Sequence, residues 1–185
     1  MIYVVRHGST DYNEKKITMG SKDIPLNEKG REEAYKTASL LKEENFDLII
    51  SSPLIRALET AKIINEGRNN QIIVDDRLTE RYLGELEGES YPEDNAKFWD
   101  IKINTSDNGV ESMLDFKDRV YNFLDMLVAD YNDLDILLVT HGGVTALINC
   151  YFNDTLYDGP ISDKFLKNSA FASYNGRSKK LIKND

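Results

Sequence analysis

Two short apolar runs, each closed by a histidine and a glycine, constrain this chain more than any other feature. Ile2 to Val5 runs into Arg6-His7-Gly8, and Ile136 to Val139 runs into Thr140-His141-Gly142-Gly143. An unbroken apolar stretch of this length fits a strand buried on both faces of an α/β sheet. His7 and His141 are the only histidines in the sequence, so their equivalent settings ask for a common explanation. If the two strands are neighbours, both imidazoles stand beyond the carboxyl ends of the sheet, where open α/β sheets form their sites.

The chain between and after these runs alternates strands with helices. Ser9 to Leu26 has no clear periodicity and reads as a loop, rich in groups that could line a site: Ser9, Thr10, Asn13, Thr18 and Gly20. Asn27 suits the N-cap of a helix from Glu28 to about Glu44. Phe46 to Ile50 predicts a second strand. Ser52-Pro53 reads as an N-cap and first helical residue, opening a helix through Ala57, Leu58, Ala61 and Ile64 to a stop at Gly67. Ile72 to Val74 is a third strand, leading to Glu80-Arg81 and a segment punctuated by Gly84 and Gly88. Ser112 with Asp115 matches a capping box. Met113, Phe116, Val120, Phe123, Leu127 and Tyr131 then mark a long amphipathic helix. Asp135 to Thr140 predicts a fourth strand, followed by a helix starting near Gly143. Ala170 to Tyr174 and Lys180 to Ile182 read as late strands joined by a turn at Asn175-Gly176.

This alternation predicts an α/β three-layer sandwich, a mostly parallel central sheet with helices on both faces. At 185 residues and 41% hydrophobic, residues 1–185 suit one domain, with residues 89–110 as a short lid-like insertion over the mouth of a site. That insertion holds Tyr91, Phe98 and Trp99, which could stack on an organic group or fill the core.

The 23 basic and 32 acidic side chains leave a net charge of −9. This sign argues against a nucleic-acid or anionic-membrane surface as partner, while a local cationic pocket stays compatible with it. Met1 to Val5 is too short for a signal core, and no apolar run approaches the ~20 residues of a membrane span. The expected location is cytoplasmic. Cys150, alone and in an apolar stretch, reads as a buried and inert thiol.

Arg6-His7, Ser51 to Arg56, Glu80-Arg81 and Thr140-His141 all follow a predicted strand, so four separated stretches converge on one sheet edge. Phosphoryl transfer to histidine needs a neutral imidazole in line with the leaving oxygen. It also needs donors for the equatorial oxygens and an acid for the leaving group. His7 can be the acceptor, and Arg6, Arg56 and His141 can be donors. The residues alone leave alternatives open. The histidines could be core or surface residues or could bind a metal, although no closely spaced ligand set accompanies them. Arg56 could be a solvated helix residue, and Glu80 is one of five acidic residues between Asp76 and Glu89.

Taken together, VVRHGST (4–10), Asn13, MGSKDIPLNEKGREEA (19–34), SSPLIRALETA (51–61), LTERYLGELEG (78–88), GVES (109–112), VTHGG (139–143) and NSA (168–170) carry a family pattern. In this order, over nearly the whole chain, they resemble the histidine phosphatase superfamily, which holds the cofactor-dependent phosphoglycerate mutases and many small phosphatases. The resemblance implies that His7 is the phosphorylated nucleophile, in a phosphate pocket of Arg6, Arg56 and His141. Glu80 would protonate the leaving group and then activate water. Asn13 and the backbone of Gly142 would add oxygen contacts, and Gly20 would approach the substrate. No metal and no other cofactor is implied. Met19 departs from the mutases, which usually carry a small hydroxyl residue there.

Only about fifty residues separate Gly88 from Thr140, short for the water-excluding segment of a mutase. This favours a phosphomonoesterase acting on a small phosphorylated metabolite. Arg81, directly after Glu80, is a mutase-like feature that could hold a carboxylate or second phosphate. A phosphoglycerate mutase, or a non-catalytic phosphate-binding protein on the same fold, are the alternatives.

Overall fold

The computed structural model describes residues 1–155, 159–176 and 180–184. Its strands are β1 (Ile2–Arg6), β2 (Leu48–Ser51), β3 (Ile72–Val74), β4 (Ile136–Thr140), β5 (Phe171–Asn175) and β6 (Lys180–Asn184). They form one sheet in the order β3-β2-β4-β1-β5-β6. The pairs β1–β4, β2–β4 and β2–β3 are parallel, while β5 runs antiparallel to both β1 and β6. The helices are α1 (Asp11–Lys15), α2 (Glu28–Leu40), α3 (Ile55–Asn65), α4 (Met113–Asp130) and α5 (Gly142–Asn153).

Strand side chains alternate between the two sheet faces, which here splits the core in two. Ile2, Val4, Leu48, Ile50, Ile136 and Leu138 face the buried stripe of α4 and the apolar helix α5. Tyr3, Val5, Ile49, Leu137 and Val139 face Ala57, Ala61 and Ile64 of α3, with Leu41 at the end of α2. Helices therefore cover both faces of a mostly parallel sheet, as the alternation of elements predicts. Helix α4 buries Met113, Phe116, Val120, Phe123, Leu124 and Leu127, a spacing of three and four that keeps one face on the core. Its first turn is fixed by Ser112, whose hydroxyl accepts from Asp115 N–H at 3.1 Å and donates to the Asp115 carboxylate at 2.7 Å. Among the described residues, no helix is long and apolar enough to cross a membrane.

Several boundaries differ from the sequence reading, each for a local reason. The expected loop after β1 contains α1, too short to show a period, capped by reciprocal bonds between Thr10 and Asn13. Helix α2 ends at Leu40 rather than near Glu44. Beyond it, Arg68 donates to the carbonyls of Leu41 and Glu44, so a guanidinium replaces further helical N–H groups. Helix α3 starts at Ile55, not at Ser52-Pro53, because the Ser52 hydroxyl accepts from Leu54 N–H at 3.3 Å, ahead of the helix. The carboxylate of Asp23 instead caps Ile55 N–H at 2.6 Å. Strand β5 is Phe171–Asn175, one residue later than expected, and the connection from Gly176 to β6 lies outside the described residues.

Residues 89–110 are irregular, with short turns of 3₁₀ helix at Asn95–Trp99 and Asp107–Gly109. Phe98 and Trp99 are buried and join the core under α4, whereas Tyr91 is largely exposed. Trp99 packs edge-on against Phe116 and Phe165, with ring centres 6.3 and 4.8 Å apart.

Candidate active site

Because β1 and β4 are parallel neighbours in register, Arg6 stands opposite Thr140, and the two histidines emerge side by side. His7 N–H donates to Thr140 O at 2.9 Å, and the imidazole ring centres lie 5.1 Å apart. Gly8 then lets the chain turn under α2. A Cβ at Gly8 would sit 2.3 Å from Gly30 O, and one at Gly30 would sit 2.0 Å from Ser9 O. The two glycines interlock, which brings α2 against the loop that carries His7.

A cavity of about 310 Å³ opens above this strand pair. Of the catalytic and binding residues expected from the sequence, Arg6, His7, Asn13, Gly20, Arg56 and Glu80 line it. His141, Gly142 and Arg81 do not.

His7 is almost wholly buried. Its Nδ1 lies 2.7 Å from Gly8 O; a carbonyl only accepts, so Nδ1 carries the proton and Nε2 keeps its lone pair. Burial first, then the charges of Arg56 and Arg6, hold the His7 pKa well below its usual range. The ring is therefore neutral at physiological pH, as a nucleophile requires.

Arg56 is also buried. It donates from Nε to His141 Nδ1 at 3.2 Å, from Nη1 to Lys22 O at 2.6 Å and from Nη2 to Gly20 O at 2.8 Å. Each terminal nitrogen keeps a second N–H. Burial pushes its pKa down to about 10 against the opposing effect of Glu80, so it stays cationic at neutral pH. Arg6 donates from Nη1 to Leu166 O at 2.8 Å, while its buried Nε has no partner. Burial lowers its pKa too. Two desolvated guanidiniums and an unpaired donor beside a neutral imidazole make a cradle suited to a dianionic oxyanion group.

His141 was expected as a direct donor to that group. It is fully buried, and both ring nitrogens are engaged within the protein. Nδ1 accepts from Arg56, so Nε2–H is the donor of the 2.7 Å hydrogen bond to Ser52 Oγ. Burial and Arg56 hold its pKa well below the usual range, so it too is neutral. Gly142 lies behind Arg6; a Cβ there would be 3.2 Å from the guanidinium carbon.

The Glu80 carboxyl group is fixed by main-chain donors. Arg81 N–H gives to Oε1 and Gly143 N–H to Oε2, both at 3.0 Å. The second of these is a free N–H in the first turn of α5, which favours an anion. Behind it, Arg119 donates to the carbonyls of Arg77, Thr79 and Glu80 and pairs with Glu111, clamping the loop. Asn13 accepts through Oδ1 from Thr10 N–H at 3.1 Å and Asn168 Nδ2 at 3.3 Å, which turns its amide nitrogen toward the cavity.

Arg81 departs from the expectation of a substrate contact. It is completely buried, its Nε and Nη2 donate to Glu111 O and Thr105 O at 2.7 and 3.1 Å, and Trp99 lies against it. Sequence reasoning missed Ser52, Gly143 and Asn168 as supports and Asn95, Ser162 and Phe165 as lining. Ser52 carried a signal, mistaken for a helix cap, whereas Ser162 and Phe165 carried none. Among the described residues no three His, Cys, Asp or Glu side chains cluster closely enough to hold a metal ion.

The sequence of residues 2–168 matches the histidine phosphatase superfamily (branch 1). The phosphatase PhoE of Bacillus subtilis, itself uncharacterized, is 36% identical over 141 residues, 76% of this chain and 71% of that protein. The glucosyl-3-phosphoglycerate phosphatase of Mycolicibacterium vanbaalenii is 31% identical over 160 residues, 80% of this chain and 71% of that protein. The mycobacterial glucosyl-3-phosphoglycerate phosphatase in complex with VO3 superposes with a TM-score of 0.79 at 29% identity, covering 92% of this chain and 90% of that one. The family match spans both histidine-bearing strands and the segments that meet between them, and the chain belongs to the histidine phosphatase superfamily.

Proposed function

We propose that the protein is a phosphomonoesterase that hydrolyses a small phosphorylated metabolite through a phosphohistidine on His7. The observation that carries this is the neutral, buried His7, its Nε2 lone pair free, beside Arg6 and Arg56 in a cavity that also holds the Glu80 carboxyl group. In the first step, Nε2 attacks phosphorus in line as the P–O bond to the leaving group breaks, and Glu80 gives that oxygen its proton. In the second, Glu80 takes a proton from water as the water oxygen attacks phosphorus, and the P–N bond returns its electron pair to His7. Arg6, Arg56 and the Asn13 amide hold the equatorial oxygens. His141 acts through Arg56, which it holds by a ring nitrogen. Gly20 holds Arg56 by its carbonyl, and its missing side chain makes room for the Glu87 carboxylate.

Residues 89–110 form, in this reading, a short lid within a single domain spanning 1–185, contributing Tyr91, Asn95 and Trp99 to the cavity. The enzyme would work on a small-molecule pool in the cytoplasm. Hydrolysis is favoured over a mutase reaction because Arg81, the mutase-like feature, lies behind the Trp99 indole with its Nε and Nη2 on main-chain carbonyls.

The test is a single-turnover reaction with a ³²P-labelled ester. A labelled protein that is stable in alkali and labile in acid, absent in His7→Ala together with all p-nitrophenyl phosphate turnover, is the expected result. Turnover surviving in His7→Ala refutes the nucleophile. Isomerisation of phosphoglycerates faster than phosphate release would replace hydrolysis with the mutase reaction.

A further inference from the structure

With the phosphoryl group between His7, Arg6 and Arg56, as in the reading above, the remainder of the cavity has to accommodate whatever that group is attached to. Its walls are Met19, Leu83, Tyr91, Trp99 and Phe165, with Thr18, Asn95 and Ser162 as neutral polar groups. The Thr18 hydroxyl is buried and without a partner, an open position for a substrate hydroxyl or amide. Among the described residues, the charged side chains of the lining are Arg6 and Arg56, claimed by the phosphate, and Glu80, which offers an anion no attraction. The third nearby cation, Arg81, stands behind the wall, with the Trp99 ring centre 5.8 Å from its guanidinium carbon, and it is the indole that faces the cavity.

An anionic group on the leaving side would therefore lose its water without gaining a cation, which is strongly unfavourable. At about 310 Å³ the cavity lies at the small end of ligand sites, which run from roughly 300 to 1,000 Å³. We propose that the site selects monoesters whose leaving group is a small alcohol or phenol without anionic charge, of about the size of one ring, and rejects esters that carry a carboxylate or a second phosphate. This deepens the phosphatase reading above and rests on it.

Two synthetic esters isolate the charge. In 4-carbamoylbenzyl and 4-carboxybenzyl phosphate the outlines match, the methylene insulates the leaving oxygen from the substituent, and one negative charge differs. Phosphate release is measured at neutral pH in 0.5 M KCl, where a Debye length of about 4 Å screens the repulsion from the protein's distant charges. The expected kcat/KM is at least tenfold lower for the carboxylate. A smaller difference, or a reversal, overturns the selectivity while leaving the phosphatase reading intact. Release from neither ester, nor from p-nitrophenyl phosphate, removes both readings together.

Discussion

Gly143→Ala tests how the Glu80 carboxyl group is held. A Cβ at Gly143 would lie 2.5 Å from Glu80 Oε1 and 2.5 Å from Trp99 Cζ3, so both contacts must be relieved, the larger displacement falling on the less constrained group. Trp99 is pinned edge-on by Phe116 and Phe165, and Glu80 is the flexible partner. Displacing it breaks the 3.0 Å bond from Gly143 N–H, a hydrogen bond to a charged group of the kind worth ~1.5–3 kcal/mol. General acid catalysis typically contributes ~10²–10⁴ in rate. Benzyl phosphate, which leaves as a poor alkoxide, should therefore lose about 10²-fold in kcat/KM, or ~2.7 kcal/mol of barrier. p-Nitrophenyl phosphate, whose leaving group needs no proton, should lose less than about tenfold. Alanine favours a helix over glycine by ~1 kcal/mol, so a loss of activity cannot be put down to weakened helix propensity. Phosphate release from both esters gives the ratio, thermal unfolding confirms the fold, and emission from Trp99, the only tryptophan, reports which group moved. Equal losses on the two esters, or a red shift of the indole with Glu80 chemistry unchanged, refute the reasoning.

Two further outcomes follow from the buried histidines. Both have pKa values well below 6.5 in the fold, so below pH 6.5 the unfolded chain binds more protons and stability falls as pH falls. With both unfolded values near 6.5, their joint loss from pH 7.5 to 5.5 is about 2.7 kcal/mol, read from denaturant midpoints; a flat profile over that range contradicts their burial as neutral rings. Ser52→Ala removes the acceptor of His141 Nε2–H and leaves a buried donor unpaired, which should cost ~1–3 kcal/mol of stability. An unchanged unfolding midpoint would show that the bond from His141 to Ser52 holds nothing in place.

The strands that carry the site were legible because each is a local signal: an apolar run, buried on both faces, closed by His-Gly. Their adjacency was left conditional by the sequence, since pairing β1 with β4 joins residues 134 positions apart, as in Ile2 opposite Ile136. Ser52 shows how a correct local signal misleads. Serine before proline is a sound helix start, and the hydroxyl does accept from Leu54 N–H at 3.3 Å, but its shorter bond, 2.7 Å, is with His141, 89 positions away, and the first helical N–H, that of Ile55, goes to Asp23.

Arg81 and Glu80 make the same point with opposite results. In sequence they are adjacent and equally eligible to meet a substrate, and spacing distinguishes Glu80 from none of its acidic neighbours. What separates the pair is main chain supplied from far away. The carbonyls of Thr105 and Glu111 draw the Arg81 guanidinium behind Trp99, while the N–H of Gly143 draws the Glu80 carboxyl group toward the start of α5, beside the strand that delivers His141. The absence of a side chain at Gly143 is what admits both Glu80 and Trp99. One glycine thus couples the placement of the candidate proton donor to the wall that faces the leaving group. That coupling explains why the acid could be named in advance only through family resemblance: its distinguishing partner is a backbone N–H 63 residues further along the chain, and a backbone N–H leaves no trace in the residue types around Glu80.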